Sequence, residues 1–179
     1  MAAVNTYWDT YKCGASMSYP IVKKSPYGDW KSLLVRCKVK TASEIFIGAL
    51  VEQADSGTHA TIEKTTDKSL KVFGIVVDTI ENKLQLEIDT GAKATKTAFF
   101  AANSYVWVLP LISGFILEGR FKASVSATDE GNRVCATVDG SLRTMAAIAT
   151  DVDPAASLGR SLGMKTNGTG ESYLPWIVV

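Results

Sequence analysis

The sequence has little of what most enzyme active sites require. It contains a single histidine, His59, and its 3 cysteines are widely spaced. One imidazole with scattered carboxylates does not satisfy a zinc site, and an odd cysteine count is no disulfide framework. Neither a GxxxxGK[ST] phosphate loop nor a GxGxxG turn after a strand occurs. We predict a protein that is not an enzyme, with no catalytic residues, no metal site and no cofactor.

An enzyme hypothesis would rest on His59 and on the 18 acidic residues. Asp55 and Ser56 lie close to His59 in sequence, but no strand-to-helix elbow presents the serine as a nucleophile. A glycosidase-type site of two carboxylates remains an open alternative, because a fold can bring any two of the acidic residues together. We expect His59 to be an exposed histidine of a loop.

The chain also lacks a strong net charge, which is +1. A global field that attracts nucleic acid or an anionic membrane is therefore absent, and we predict neither partner. The charge is uneven, however: basic residues dominate positions 1–40 and acidic residues dominate 41–70. Such a division suits attachment to an acidic neighbour, including another copy of this chain, and it equally suits an ordinary solvated face.

One uncharged stretch, residues 97–117, is long enough to span a bilayer. It is interrupted by polar and helix-breaking residues, namely Asn103, Ser104, Pro110, Ser113 and Gly114. These interruptions favour two buried strands over a membrane helix.

What the sequence does have is a two-residue periodicity. In Phe115 to Ala127, FILEGRFKASVSA, apolar residues and glycine occupy one parity and polar residues mostly the other. This pattern predicts a long strand with one buried face, and with Glu118, Arg120 and Lys122 together on an exposed face. Further strands are predicted in LLVRCKV, IFIGALV (45–51), LKVFGIVV (70–77), LQLEI (84–88), YVWVLPL, RVCATV (133–138), LRTMAAIA and YLPWIVV.

Short strands separated by turns such as Asp139-Gly140 indicate an all-β fold, an antiparallel β-barrel or β-sandwich. No segment predicts a helix of three turns. Residues 1–32 are different, because no apolar period is sustained there and tyrosine and tryptophan are concentrated there. We predict an extended N-terminal arm over 1–32, a β-domain over 33–150, and a C-terminal loop and strand over 151–179 that can complete the β-domain.

The arm is the candidate partner-binding element, since aromatic side chains supply much of the binding energy of protein interfaces. A segment that packs on its own domain is the alternative interpretation. The candidate binding residues combine aromatic anchors with two lysines: Tyr7, Trp8, Tyr11, Lys23, Lys24, Tyr27 and Trp30.

The spacing of IFIGALVEQAD and KVFGIVVDT resembles the glycine-centred strands of tailed-virus head decoration, or cement, proteins. VWVLPLISGFILEGRF, ATDEGNRV and VDGSLR resemble the second half of their β-barrel or β-tulip domains, so the resemblance extends from Phe46 to Arg143. It implies a bacteriophage structural protein, made in the host cytoplasm and located on the capsid exterior. It further implies a homotrimer that bridges major capsid protein subunits through the arm.

The alternative function is a β-sandwich module that binds carbohydrate or a host surface. Exposed aromatic rings would then act as stacking platforms, with Trp107 and Trp176 as the candidates.

Overall fold

The computed structural model describes residues 21–40, 45–54, 60–94, 98–121, 131–145, 154–163 and 172–179. Two short 3-10 helices cover Trp30–Leu33 and Pro154–Ala156, and one α-helix, α1, covers Ile80–Thr90. The strands are β1 (Val22–Lys24), β2 (Val35–Val39), β3 (Leu50–Gln53), β4 (Thr61–Lys64), β5 (Val72–Val76), β6 (Tyr105–Pro110), β7 (Ile116–Phe121), β8 (Arg133–Ala136), β9 (Leu142–Thr144), β10 (Gly159–Ser161) and β11 (Ser172–Val178). The predicted all-β barrel class is confirmed.

The first barrel closes in the order β2-β4-β3-β5-β6, with β6 returning to β2. The β2–β4 pair is parallel and the other pairs are antiparallel. Along β2, the side chains of Cys37 and Val39 point inward and are fully buried, whereas Arg36 is exposed and Lys38 is half-buried. This alternation is the one that LLVRCKV predicts, and it places the core of the barrel between strands that are distant in sequence.

The second barrel contains β7-β11-β10-β8-β9. A single parallel pairing, Phe121 with Leu142, closes it between β7 and β9. The remaining length of that β7 edge is occupied by β1, where Val22 pairs with Leu117. The division into an arm, a β-domain and a C-terminal part stays a prediction, but β11 lies in the middle of this sheet between β7 and β10.

The strand prediction for residues 84–88 is wrong, because this segment belongs to α1. Thr79 caps the helix by accepting a hydrogen bond from the Asn82 amide, and Gly91 ends it in the left-handed conformation. Leu86 packs inward while Leu84 and Ile88 are exposed. Apolar residues at 84, 86 and 88 therefore imitate strand alternation over a segment too short to distinguish the two periods.

Asn82 explains how α1 joins the first barrel. Its side-chain amide donates to the carbonyls of Val77, at 2.7 Å, and Trp107, at 2.8 Å. Its carbonyl accepts from the Trp107 amide at 2.7 Å. Asn82 thus continues the hydrogen bonding along β6 where β5 ends, and it leaves no backbone group of Trp107 unpaired at that point.

The predicted strand 45–51 begins only at Leu50. The residues before it form a turn in which the Ala49 amide donates to the Phe46 carbonyl at 3.0 Å. The whole turn is buried. Its continuous apolar sequence therefore reflects burial on all sides of a turn, rather than a strand buried on both faces.

The strand over residues 116–121 has the predicted inward face, since Phe115, Leu117 and Phe121 are fully buried. The prediction that Glu118 and Arg120 share an exposed face is wrong. Glu118 is only 6% exposed because β1 covers it, and Arg120 is half-buried against the first barrel. Lys122 lies outside the described residues.

The two barrels are joined by the hairpin between β8 and β9. The Leu50 amide of the first barrel donates to the Gly140 carbonyl at 2.8 Å, and the Thr65 hydroxyl donates to the Thr137 carbonyl at 2.5 Å. The Arg120 guanidinium lies 3.9 Å from the ring centre of Phe46. The two hydrogen bonds are buried, so they hold the barrels in one arrangement.

Candidate partner-binding surface

Four of the seven predicted binding residues lie in the part of the chain that the structure describes, between Lys23 and Trp30. Tyr7, Trp8 and Tyr11 fall outside it. Partner binding by these seven residues stays a prediction, but the contacts of the described four distinguish those that are available from those engaged within the domain.

Lys23 and Lys24 have different environments. The Lys23 ammonium lies 2.7 Å from the Glu118 carboxylate, whose side chain is 8% exposed. Lys24 is exposed. Because a buried carboxylate needs its cation, Lys23 serves the domain itself, and Lys24 is the lysine whose charge faces solvent.

The two described aromatic candidates also differ. Tyr27 is 46% exposed, and its ring packs at 5.8 Å from that of Phe115. Trp30 opens the first 3-10 helix, after Asp29, and its side chain packs against the hydrophobic core. Tyr27 therefore remains partly open to solvent, whereas Trp30 contributes mainly to the domain.

Ile21 ties this segment to both barrels. Its amide donates to the Asp78 carboxylate of the first barrel at 3.1 Å, and its carbonyl accepts from the Glu118 amide of the second at 2.7 Å. Its side chain is 5% exposed. Whatever precedes Ile21 is consequently connected to the domain at a fixed point between the barrels.

Asp78 sits in an unusual environment for a carboxylate. Burial raises its pKa, and the hydrogen bond from Ile21 and the charge of Lys83 oppose that rise. The Lys83 ammonium is 3.9 Å away and its side chain is 2% exposed. The carboxyl group thus joins α1, β5 and the segment before β1 in a region with little solvent.

The structure contains a second surface that the sequence patterns do not predict. Arg36 on β2 lies opposite Trp107 on β6, and Lys38 lies opposite Tyr105. The Arg36 guanidinium is stacked 4.8 Å from the centre of the Tyr105 ring, which is 45% exposed. We name Arg36, Lys38, Tyr105 and Trp107 the β2–β6 face. The alternation in LLVRCKV indicates the basic side chains, but only the pairing of β2 with β6 adds the aromatic ones.

Within the described ranges, no group of three histidine, cysteine or acidic side chains gathers as a metal site. Burial raises the pKa of the Cys37 thiol to about 11, so it remains protonated at neutral pH. His59 lies outside the described residues.

One of the two candidate stacking residues of the carbohydrate-binding alternative is inaccessible. Trp176 is fully buried in the second barrel, so its ring cannot stack on a sugar. Trp107 is half-buried in the β2–β6 face. Among the described residues, no helix has the length and apolar character to cross a membrane.

Comparison with known proteins identifies similarity at the level of structure. No family model matches the chain, and no curated protein matches it. Among solved structures, the chain is similar to the N base of the head fiber gp8.5 of bacteriophage phi29, with a TM-score of 0.47 and 11% sequence identity. The match covers 82% of this chain and 94% of that one.

Proposed function

We propose that this chain is a structural protein of a tailed-phage virion, attached to the outside of the head as a decoration or cement protein. It binds major capsid protein subunits and stabilises the shell by bridging neighbours. Copies associate as a homotrimer, so that one assembly contacts several shell subunits at once.

The observation that carries this proposal is the attachment of the segment before β1. Ile21 is hydrogen-bonded to Asp78 and to the Glu118 amide, one in each barrel. The aromatic-rich residues that precede Ile21 are therefore joined to a fixed point of a double-barrel body. A binding segment on a rigid body raises the effective concentration of each further contact, which is how modest interfaces bridge a shell.

The glycine-centred strands support the same proposal. The resemblance to decoration proteins rests on IFIGALVEQAD and KVFGIVVDT, on the segment from Val106 to Phe121, and on ATDEGNRV and VDGSLR. In the structure, KVFGIVVDT contains β5 of the first barrel, and the segment from Val106 to Phe121 contains β6 of the first barrel and β7 of the second.

Density-gradient sedimentation of lysate from the native source tests the proposal. We expect the chain to migrate with a large nucleic-acid-filled particle at high copy number, and to be accessible there to an antibody without disruption of the particle. Migration only as a small soluble species would contradict a virion role. Migration with the particle but without antibody access would contradict an exterior position.

A further inference from the structure

Helix α1 lies next to β6, the strand that contributes Tyr105 and Trp107 to the β2–β6 face. Asn82, in the first turn of α1, bonds to Trp107 at 2.7 Å. Asp89, in the last turn, accepts from the Ser104 hydroxyl at 2.6 Å. Because the two ends of the helix are bonded to the two ends of Ser104–Trp107, α1 lies alongside β6.

The outward side chains of this surface combine exposed apolar groups with cations. Ile88 is 75% exposed, and Leu84 and Tyr105 are each 45% exposed. Arg36 stacks on Tyr105. Lys38, two residues further along β2 and on the same side of the strand, lies opposite Tyr105. Tyrosine and arginine are among the residue types that contribute most of the binding energy at protein interfaces.

The cations of this surface are not neutralised by the described part of the chain. Lys40, the residue directly after β2, forms an ion pair with Glu63 at 2.8 Å. No described carboxylate pairs with Arg36 or Lys38; Glu81 is exposed on the first turn of α1, and Asp89 is engaged by the Ala101 amide and Ser104. A partner with carboxylates opposite Arg36 and Lys38 therefore gains attraction without breaking an existing ion pair.

We propose that this surface, formed by Arg36, Lys38, Leu84, Ile88 and Tyr105, is a second docking site that binds an acidic protein surface of the shell. This inference rests on the proposed function and adds to it a site outside the N-terminal arm. The occupant is a protein with carboxylates around an apolar contact.

A second copy of this chain is a poorer occupant than a shell subunit. Its described acidic side chains are mostly engaged by the chain itself: Glu63 with Lys40, Asp67 with Arg143, and Glu118 with Lys23. Glu52 and Asp78 accept backbone hydrogen bonds. To neutralise Arg36 and Lys38 with any of these five acids, a second copy would have to give up the contact that the acid already makes.

A single-stranded nucleic acid also binds basic and aromatic surfaces, but it requires open ring faces for stacking. Here the Arg36 guanidinium lies over the Tyr105 ring and Trp107 is half-buried. The exposed aliphatic side chains of Leu84 and Ile88 offer a nucleic acid little. These features favour the protein partner.

The test measures binding of the full-length chain to purified shells that lack it. The test variant reverses two charges, Arg36→Glu with Lys38→Glu. The matched control reverses Arg133→Glu with Arg160→Glu, two exposed arginines that face each other across β8 and β10 of the second barrel. A third variant, Leu84→Ser with Ile88→Ser, changes the apolar contact without changing charge.

We expect the Arg36/Lys38 variant to bind at least tenfold more weakly, the Leu84/Ile88 variant to bind severalfold more weakly, and the control to bind within twofold of wild type. Wild-type binding that weakens with added salt supports the same conclusion. Should the charge variant fail to fold, as seen by circular dichroism, the Leu84/Ile88 variant decides the question.

Three outcomes overturn the inference and can be told apart. If wild type does not bind shells, both the proposed function and the docking site are wrong. If wild type binds and the Arg36/Lys38 and Leu84/Ile88 variants bind equally well, the proposed function stands and the docking site is wrong. If both variants retain shell binding, and wild type binds a single-stranded oligonucleotide that the variants do not bind, the surface is a nucleic-acid site instead.

Discussion

At the scale of single residues, Gly140 shows how a turn residue also determines the contact between the barrels. Its φ is +73°, and a Cβ atom placed there would lie 2.9 Å from the Leu50 carbonyl oxygen. Glycine is therefore required twice, once for the backbone conformation and once for the approach of the first barrel. The Asp-Gly pair predicts the hairpin, but its contact with Leu50 depends on the fold.

Replacement of Gly140 by alanine should cost more than replacement of Gly91, which has φ +68° but open space within 4 Å of the point that a Cβ atom would occupy. We expect each substitution to cost about 1–2 kcal/mol for the left-handed backbone. Gly140→Ala should cost about 1–3 kcal/mol more for the displaced contact with Leu50. Urea denaturation measures both, and equal losses would show that the barrel contact does not constrain Gly140.

Asp78 gives the pH dependence of stability a defined sign. Its pKa is raised by burial from the ordinary 3.8, so the folded protein holds this proton more tightly than the unfolded chain. The contribution of Asp78 to the free energy of unfolding is therefore largest below pH 3.8 and falls as pH rises through the raised pKa.

The variant Asp78→Asn keeps an oxygen that can accept from the Ile21 amide but cannot ionise. We expect the free energy of unfolding of wild type, minus that of the variant, to decline as pH rises from 3.8 through the raised pKa of Asp78. Denaturation at a series of pH values measures this difference. A difference that is constant, or that grows with pH, would contradict the raised pKa.

At the scale of secondary-structure elements, β1 depends on side chains as well as on its few ladder hydrogen bonds. It covers only three residues, Val22–Lys24, and its lysine at position 23 neutralises a carboxylate on β7. A strand this short gains little from backbone pairing alone. Its position on β7 therefore relies on the Lys23–Glu118 ion pair and on the hydrogen bonds of Ile21.

Removal of the Lys23 ammonium should consequently loosen β1. In Lys23→Ala, the Glu118 carboxylate, 8% exposed, loses its cation, and we expect a loss of about 1–3 kcal/mol in the free energy of unfolding. Faster hydrogen exchange of the Glu118 amide, which donates to Ile21, should accompany it. Lys24→Ala is the matched control at an exposed site and should change stability by less than about 0.5 kcal/mol. Equal effects of the two variants would contradict a role of Lys23 in holding β1 on β7.

Helix α1 shows where sequence patterns are insufficient at this scale. The sequence does carry a helix-start residue, Thr79, and an end residue, Gly91, on either side of it. The apolar positions 84, 86 and 88 nevertheless suggest a strand, because Leu86 is the one apolar residue that the helix buries and no wider helical stripe is present. Its helical state is supported by Asn82, whose hydrogen bonds to Trp107 require β6 to be in place.

At the scale of the whole molecule, the barrels share enough buried contacts to behave as one unit. Ile21 bonds to Asp78, Leu50 bonds to Gly140, and Arg120 packs on Phe46. Opening the interface would expose both the turn before Leu50 and the hairpin before Leu142. The barrels are therefore expected to lose structure together.

We expect a single calorimetric transition, with equal calorimetric and van't Hoff enthalpies. Hydrogen exchange provides the site-resolved check, because the buried residues Val106 and Leu117 report on different barrels. Their amides should reach the same free energy of opening. Two resolved transitions, or a clearly lower protection at one of these sites, would mean that the barrels unfold independently.

A truncation tests the two-barrel domain separately from the residues that precede Ile21. Removal of residues 1–20 leaves Ile21, β1 and Trp30 in place, so we expect the melting temperature to change little. Binding to shells that lack the chain should weaken at least tenfold under the proposed function. Undiminished binding would show that the arm is dispensable. A cut beyond residue 30 is a poor substitute, because it also removes β1 from β7.

The sequence alone determined the β character of the chain, the inward parity of β2 and β7, and the Asp139-Gly140 turn. These features depend on neighbours within a few residues, because alternation and turn chemistry are local properties of the backbone. The tertiary structure decided the closure of two barrels, the helical state of 80–90, and the burial of Phe46, Glu118 and Trp176. It also brought Tyr105 beside Arg36. These outcomes require contacts between segments far apart in the chain, whose free energies do not appear in any local pattern.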